Sequence, residues 1–168
     1  NEFYRHVYSL DTAVTAVDLS GDASLLLAAA GNQVFLWDTA GRPTQLFQLK
    51  GAINAVAFSP DEQLILVACR DSTIGLWDRK GNIKTLMKER TGRVNLALFS
   101  PGGDTILSAT NRGRVILRNL NGDTLKSWAA HSPGEVTAAV FFPKGDTIVT
   151  GGTDRTVNLW DKSGRKIN

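Results

Sequence analysis

The sequence has 168 residues, of which 42% are hydrophobic and 21% are charged, and its formal net charge is +3. This balance is typical of a folded globular protein and excludes a disordered chain. The positive excess is small, so a nucleic-acid partner is not expected. No apolar run reaches the roughly 20 residues that a membrane-spanning helix needs, so no membrane partner is expected either.

A single cysteine, Cys69, limits the chemistry of the chain. It excludes a disulfide within the chain and a cysteine-rich metal site. One free thiol is compatible with a reducing compartment. We therefore expect a cytoplasmic protein without a metal or another cofactor.

Short apolar runs separated by turn residues follow one another along the chain, a pattern that predicts strands and no helices. Residues 1–9 alternate between apolar and polar and predict one strand. Four units follow, at residues 13–49, 53–88, 94–129 and 136–168. In the second unit the predicted strands are 53–58, 63–69, 73–78 and 83–88, with Asp, Gly or Pro in the turns between them. The chain is therefore predicted to be all-β.

Three sequence markers recur in these units. The dipeptide Trp-Asp begins at Trp37, Trp77 and Trp160, and the second interval is about twice the first, which places a degenerate copy at Arg118. The triplet Phe-Ser-Pro or a variant of it lies at the end of the first predicted strand of each unit. A valine or isoleucine opens each unit, at Val14, Ile53, Val94 and Val136. A period of about 40 residues is typical of β-propeller blades.

These repeats resemble the WD40 family, and the resemblance extends from about Val14 to Asp161. It implies a β-propeller built from blades of four antiparallel strands, of which this chain has four. It also implies a non-catalytic scaffold that binds a protein or peptide partner. The glycines after Trp-Asp, at Gly41, Gly81 and Gly164, resemble those of bacterial-type WD40 arrays.

The resemblance further implies a hydrogen-bond network of histidine, hydroxyl, aspartate and tryptophan within a blade. The fourth unit has all four, at His131, Thr150, Asp154 and Trp160. A buried aspartate needs such partners, because its charge is costly to remove from water. The other units have parts of the set: Trp37 in the first, Asp71 and Trp77 in the second, and Ser108 in the third, where Arg112 and Arg118 replace the aspartate and the tryptophan. We expect strand packing to hold those three blades together.

Catalysis is the competing interpretation of the polar residues. His131, Asp154 and Thr150 could form a catalytic triad, but the family resemblance favours a structural network. A propeller surrounds a central channel that is lined by the first strand of each blade. An active site in this channel would need ionisable groups on the first strands, where Asp18 and Asn95 are the notable polar residues. We therefore expect no enzyme.

Basic residues mark the candidate binding face, which carries the loops before each unit and between its second and third strands. The candidates are Arg70, Arg90, Arg93, Arg112 and Arg114. Residues 84–126 include eight basic and three acidic side chains and carry a net charge of +5, whereas the rest of the chain carries −2. Two interpretations stay open: a solvated rim, or a docking patch for an acidic protein segment or a phosphate-bearing ligand.

Four blades can be assembled in three ways. They could close alone, combine with a second copy into an eight-bladed ring, or form part of a longer propeller. The strand predicted at residues 1–9 would complete a fourth blade. An open blade flank would leave an unpaired edge and apolar surface, so we expect the two-chain ring.

Overall fold

The structure is a computed structural model, and it describes residues 9–38, 41 and 43–167. The strand predicted at residues 1–9 lies outside the described residues except for its last position. Fifteen strands are present in this part of the chain: β1 Val14–Leu19, β2 Leu25–Ala30, β3 Gln33–Asp38, β4 Pro43–Gln48, β5 Ile53–Phe58, β6 Leu64–Cys69, β7 Thr73–Asp78, β8 Ile83–Lys88, β9 Val94–Phe99, β10 Thr105–Thr110, β11 Arg114–Asn119, β12 Thr124–Ala129, β13 Val136–Phe141, β14 Thr147–Gly152 and β15 Val157–Asp161.

The strands form four antiparallel sheets in chain order. β1–β4, β5–β8 and β9–β12 are four-stranded, and β13–β15 form a sheet of three. We call these sheets blades 1 to 4. Lys166 pairs with Trp160 beside β15, and Ile167 N donates to Leu159 O at 2.8 Å. The predicted all-β fold of WD40-like blades is confirmed, and none of the described residues builds a helix long and apolar enough to cross a membrane.

The second strands of the blades are buried more deeply than the fourth strands. The second strands of blades 1 and 2 are nearly continuous apolar runs, and every residue of β10 in blade 3 is buried. Such runs are typical of strands that are covered on both faces. The fourth strands β8 and β12 are mostly exposed and form the outer edge. The lysines of these two strands suit an exposed edge, where charged side chains discourage pairing with another chain.

The hydrophobic core lies between blades. One buried cluster joins blades 1 and 2, a second joins blades 2 and 3, and a third joins blades 3 and 4. In the first cluster the Trp77 indole stacks on Phe47, with the ring centres 4.7 Å apart and the planes inclined by 12°. Each blade is therefore stabilised by its neighbours, as expected of a repeat architecture.

Polar bonds between the first strands fix their relative positions. Asn54 Nδ2 donates to Val94 O at 2.8 Å, and Asn95 Nδ2 donates to Val136 O at 3.0 Å. The two asparagines occupy the second position of β5 and β9, so the same bond joins successive blades. At the other end of the first strands, Phe58 N donates to Asp18 Oδ2 at 2.7 Å. The first strands thus form a tightly ordered inner edge.

Candidate interaction site at the inner strands

A polar cleft opens at the start of the first strands. Its volume is about 460 Å³, and it is lined by Asn54, Arg70, Arg93, Asn95, Glu135 and Thr137. We call it the inner-strand cleft. Its lining comes from blades 2, 3 and 4. The second residue of each first strand contributes one side chain, and the loops beside these strands contribute the charged groups.

Hydrogen bonds order the side chains of this cleft. Arg70 Nε donates to Asn54 Oδ1 at 3.0 Å, while the amide nitrogen of Asn54 is held by the Val94 carbonyl. Asn95 Nδ2 also donates to Glu135 Oε2 at 3.1 Å. Sequence reasoning had named Asn95 but missed Asn54. Aligning the repeats on their opening residues would have found it, because both asparagines follow that residue directly.

The structure divides the five candidate arginines between different surfaces. Arg70 and Arg93 line the inner-strand cleft. Arg90 lines another cleft, between the outer strands of blades 2 and 3. Arg114 donates from Nη2 to Ser127 Oγ at 2.8 Å on the outer strand β12, and Arg112 lies in the turn between β10 and β11. The basic segment therefore does not converge on one site.

The four network residues of blade 4 form a continuous hydrogen-bonded chain. Trp160 Nε1 donates to Thr150 Oγ1 at 2.8 Å, and the same hydroxyl lies 2.8 Å from His131 Nε2. His131 Nδ1 lies 2.8 Å from Asp154 Oδ1. Every atom is satisfied when Thr150 donates to Nε2 and the imidazole carries its proton on Nδ1, which then donates to the carboxylate.

The loop around Asp154 favours the charged carboxylate. Burial works against ionisation most strongly, but hydrogen bonds from His131 and Thr156 outweigh it, and the pKa of Asp154 is lowered. Gly152 makes room for the imidazole, because a Cβ at this position would lie 2.4 Å from His131 Cγ. Gly151 and Gly152 end strand β14.

Burial argues against catalysis by this network. Thr150 is completely buried, and His131 is 1% exposed. A substrate carbonyl or phosphorus atom could not reach the threonine hydroxyl without opening the blade. The arrangement can satisfy buried polar atoms and fix the loop before β13, which is a structural task.

Blade 3 has a different buried network, which adds polar bonds to the strand packing expected there. Arg118 occupies the register position of Trp160, since each pairs with the isoleucine two residues before the network hydroxyl. Its Nη1 donates to Ser108 Oγ at 2.9 Å, and its Nη2 donates to Glu89 Oε2. Counted over the whole residue, backbone included, the exposed fraction is 7% for Arg118 and 4% for Glu89. Sequence reasoning had missed Glu89, because it lies 29 residues from Arg118 in the preceding loop.

The remaining predicted network residues lie in blades 1 and 2. Trp37 and Trp77 are both buried in the blades. Asp71 is exposed, and its Oδ1 accepts a bond from Thr73 N at 2.9 Å. Val67, in place of the network hydroxyl, is completely buried. Apolar packing thus dominates blade 2, as expected.

The Asp of the Trp-Asp pair ends the third strand of a blade. Asp78 Oδ1 accepts bonds from Lys80 N and Asn82 N, each at 2.9 Å. In blade 3 this place is taken by Asn119, whose Oδ1 accepts from Asp123 N at 2.9 Å. The turn therefore persists although the dipeptide is degenerate there.

Four successive antiparallel blades, joined at their first strands, define a repeat protein of the β-propeller type. The family model of the WD domain, G-beta repeat, matches residues 2–38, 43–78 and 122–161. The chain belongs to the WD40 repeat family. The matched segments omit most of blade 3, where Arg118 and Asn119 replace the usual Trp-Asp.

Several curated proteins are similar to this chain. A serine-threonine kinase receptor-associated protein of Dictyostelium discoideum is 28% identical over 108 residues, covering 63% of this chain and 37% of that protein. Cell division cycle 20.1, cofactor of APC complex, of Arabidopsis thaliana is 26% identical over 152 residues, covering 85% and 32%. The U5 small nuclear ribonucleoprotein 40 kDa protein of D. discoideum is 29% identical over 144 residues, covering 80% and 40%. The chain thus spans less than half the length of these relatives.

Proposed function

We propose that this chain is a non-catalytic scaffold that binds a protein or peptide partner at the inner-strand cleft. The observation that carries the proposal is the convergence of six polar side chains from three blades in one open cleft. A surface built from several blades can read several residues of a partner at once. The names of two relatives, a cofactor of the APC complex and a ribonucleoprotein component, also describe members of larger assemblies.

The chemistry of the cleft supports binding better than catalysis. Its ionisable groups are Arg70, Arg93 and Glu135. Arginine stays protonated in proteins and does not act as a general base. Glu135 accepts a hydrogen bond from Asn95. The Thr137 hydroxyl of the cleft donates to Gly151 O at 3.2 Å, so it is not hydrogen-bonded to the carboxylate as an activated nucleophile would be. Arginines, amides and a hydroxyl are, in contrast, good recognition groups.

Differential capture tests the scaffold proposal. The chain and its Arg93→Glu variant would be immobilised in parallel and exposed to an extract of the source cells, and bound proteins would be quantified by mass spectrometry. We expect at least one protein to be captured by the unmodified chain and lost from the variant. Lys144→Glu, on the turn between β13 and β14, is the matched control and should retain that protein. Equal capture by all three proteins would overturn the proposal.

A second copy of the chain is the further partner that we propose. The first residue of the first strand is completely buried in blades 2, 3 and 4, at Ile53, Val94 and Val136, but Val14 in blade 1 is 50% exposed. The buried residues belong to the clusters that join each blade to the preceding one. Val14, Val17 and Leu19 therefore form a face that is suited to a preceding blade.

Blade 4 exposes the opposite kind of face. Val34, Ile74 and Val115 are completely buried against the following blade, but Val157, at the same register position, is 68% exposed. Val140, which is 56% exposed, lies on β13 of this blade. The face of blade 4 that would meet a following blade and the face of blade 1 that would meet a preceding blade are therefore both exposed and apolar. Two head-to-tail contacts between two copies would close a ring of eight blades and cover all four apolar faces.

Light scattering at increasing concentration tests the two-copy ring. We expect twice the mass of one chain, and a single-chain mass for Val17→Asp and for Val157→Asp, because each places a charge on one of the contacting faces. Ile83→Asp is the control, since Ile83 is 60% exposed on the outer strand of blade 2. A single-chain mass for the unmodified protein at every concentration would exclude the ring.

A further inference from the structure

The inner-strand cleft presents two arginines and one glutamate in a defined order across three blades. We infer that it recognises a peptide in which an acidic group, a carboxylate or a phosphoryl group, is followed closely by a basic side chain. In this arrangement the acidic group binds between Arg70 and Arg93, and the basic group binds Glu135. This inference rests on the proposed function, because it names the class of partner that the same cleft takes.

Neither arginine of the cleft has a carboxylate partner among the residues that the structure describes. Within residues 9–38, 41 and 43–167, the salt bridges of arginine involve Arg118 and Arg165, and neither Arg70 nor Arg93 forms one. Both residues are exposed. Because the planar guanidinium presents paired donors that match the two oxygens of a carboxylate or phosphate, an uncompensated arginine in a cleft is a good anion-binding group.

Arg70 is held in place before a ligand arrives. Its Nε donates to Asn54 Oδ1, and the amide group of Asn54 is fixed in turn by the Val94 carbonyl of the next blade. The bond through Nε leaves both terminal nitrogens of Arg70 for a ligand. Such pre-organisation reduces the entropy that binding would otherwise cost.

Glu135 makes the site dipolar. One of its oxygens accepts a bond from Asn95, and its backbone nitrogen donates to Thr153 Oγ1 at 2.8 Å, so its position is fixed. In the described part of the chain it forms no salt bridge with either arginine of the cleft. An isolated anion gains from the arginines but is repelled by this carboxylate. A peptide that adds a cation on the side of Glu135 turns the repulsion into attraction, so charge order sets specificity.

Fluorescence anisotropy with four labelled peptides tests the inference. All share a flexible glycine-serine frame: one carries phosphoserine before lysine, one glutamate before lysine, one serine before lysine, and one phosphoserine before glutamate. We expect the first two to bind and the last two to bind at least about tenfold more weakly, which corresponds to about 1.4 kcal/mol. Comparing the first two separates a phosphoryl group from a carboxylate as the preferred anion. Inorganic phosphate should compete only weakly.

Variants of the intact chain assign the binding to the cleft. Arg93→Glu and Arg70→Gln should each weaken the acidic peptides about tenfold or more, and Glu135→Gln should remove the preference for the following lysine. Arg90→Glu and Arg114→Glu are matched controls outside the cleft and should leave the affinity unchanged. Binding should weaken from roughly 0.01 M to roughly 1 M salt, where the screening length falls from about 30 Å to about 3 Å.

The outcomes separate this inference from the scaffold proposal. If neither acidic peptide binds more tightly than the serine peptide, or if the controls lose as much affinity as the cleft variants, acidic recognition is wrong. Should Arg93→Glu still lose a captured protein in the extract experiment, the scaffold proposal would survive that failure. If the acidic peptides show no preference and Arg93→Glu also loses no captured protein, the acidic-recognition inference and the scaffold proposal are both wrong.

Discussion

The replacement of Glu89 by alanine tests whether a buried ion pair supports blade 3. The side chains of Glu89 and Arg118 are 1% and 8% exposed, so neither charge is screened appreciably by solvent. Glu89→Ala leaves the guanidinium in the interior with Ser108 as its remaining polar partner. Removing one member of a buried pair typically costs about 3–5 kcal/mol. We expect the free energy of unfolding to fall by about that amount.

Urea unfolding of matched variants measures this loss. Lys84→Ala breaks an exposed pair, in which Lys84 Nζ lies 3.3 Å from Asp78 Oδ2, and should cost less than about 1 kcal/mol. The double variant Glu89→Ala with Arg118→Leu removes both charges and should recover most of the stability. If Glu89→Ala costs no more than Lys84→Ala, the reasoning about the buried pair is refuted.

The same pair should make stability depend on pH. Burial opposes the charge on Glu89 most strongly, but hydrogen bonds from Thr91 and Arg118 outweigh it and lower the pKa of Glu89 below its ordinary 4.5. A carboxyl group whose pKa is depressed by folding stabilises the protein above its unfolded pKa, and this contribution is lost as the pH falls through the folded pKa. The stability difference between the unmodified chain and Glu89→Ala should therefore be full above about pH 4.5 and shrink below it. A constant difference across that range would contradict the assignment.

Three further variants, one of them with a matched control, probe blade 4 and the first blade junction. Thr150→Val leaves the imidazole of His131 and the indole N–H of the network without their shared hydroxyl, and urea unfolding should show a loss of about 1–3 kcal/mol. Gly152→Ala should displace the His131 ring, seen as a change in its imidazole NMR signals, whereas Gly151→Ala should not, because its nearest atom would be 3.9 Å away. Phe47→Leu removes the stacked aromatic pair between blades 1 and 2 and should cost about 0.5–1.5 kcal/mol in the same unfolding assay.

Local patterns in the sequence were sufficient to predict the strands. In blade 2 three predicted strands agree with the structure at both ends, and the fourth begins at Leu64 instead of Gln63. Alternation, turn residues and the repeat period all act over a few residues or over one fixed spacing. Since each blade repeats the same solution, an error in one unit would have conflicted with the other three.

Interactions between blades were harder to predict. The bond from Arg118 to Glu89 joins a strand to a loop that belongs to the preceding unit, so a comparison within one unit does not reveal it. The sequence places Arg70 and Arg93 on the same candidate face, but their meeting in one cleft depends on how neighbouring blades are inclined, which composition does not specify. Charge counting places Arg90 and Arg93 together in one segment, whereas the fold directs them into different clefts.

The third blade shows which members of the WD40 network can be replaced. In blade 4 an indole N–H from Trp160 satisfies the Thr150 hydroxyl, and in blade 3 a guanidinium N–H from Arg118 satisfies Ser108 from the same register position. A charged donor in the interior needs a counter-charge. Glu89 supplies it from the loop before β9, which corresponds to the loop before β13 that carries His131 in blade 4. Blades 3 and 4 thus share a donor aimed at a buried hydroxyl and a loop residue that completes its bonds, whereas blade 2, with Val67 in place of the hydroxyl, is held by apolar packing. Because an arginine–glutamate ion pair meets this need in blade 3 as tryptophan and histidine do in blade 4, blade 3 keeps its four-stranded sheet while the family model omits most of it.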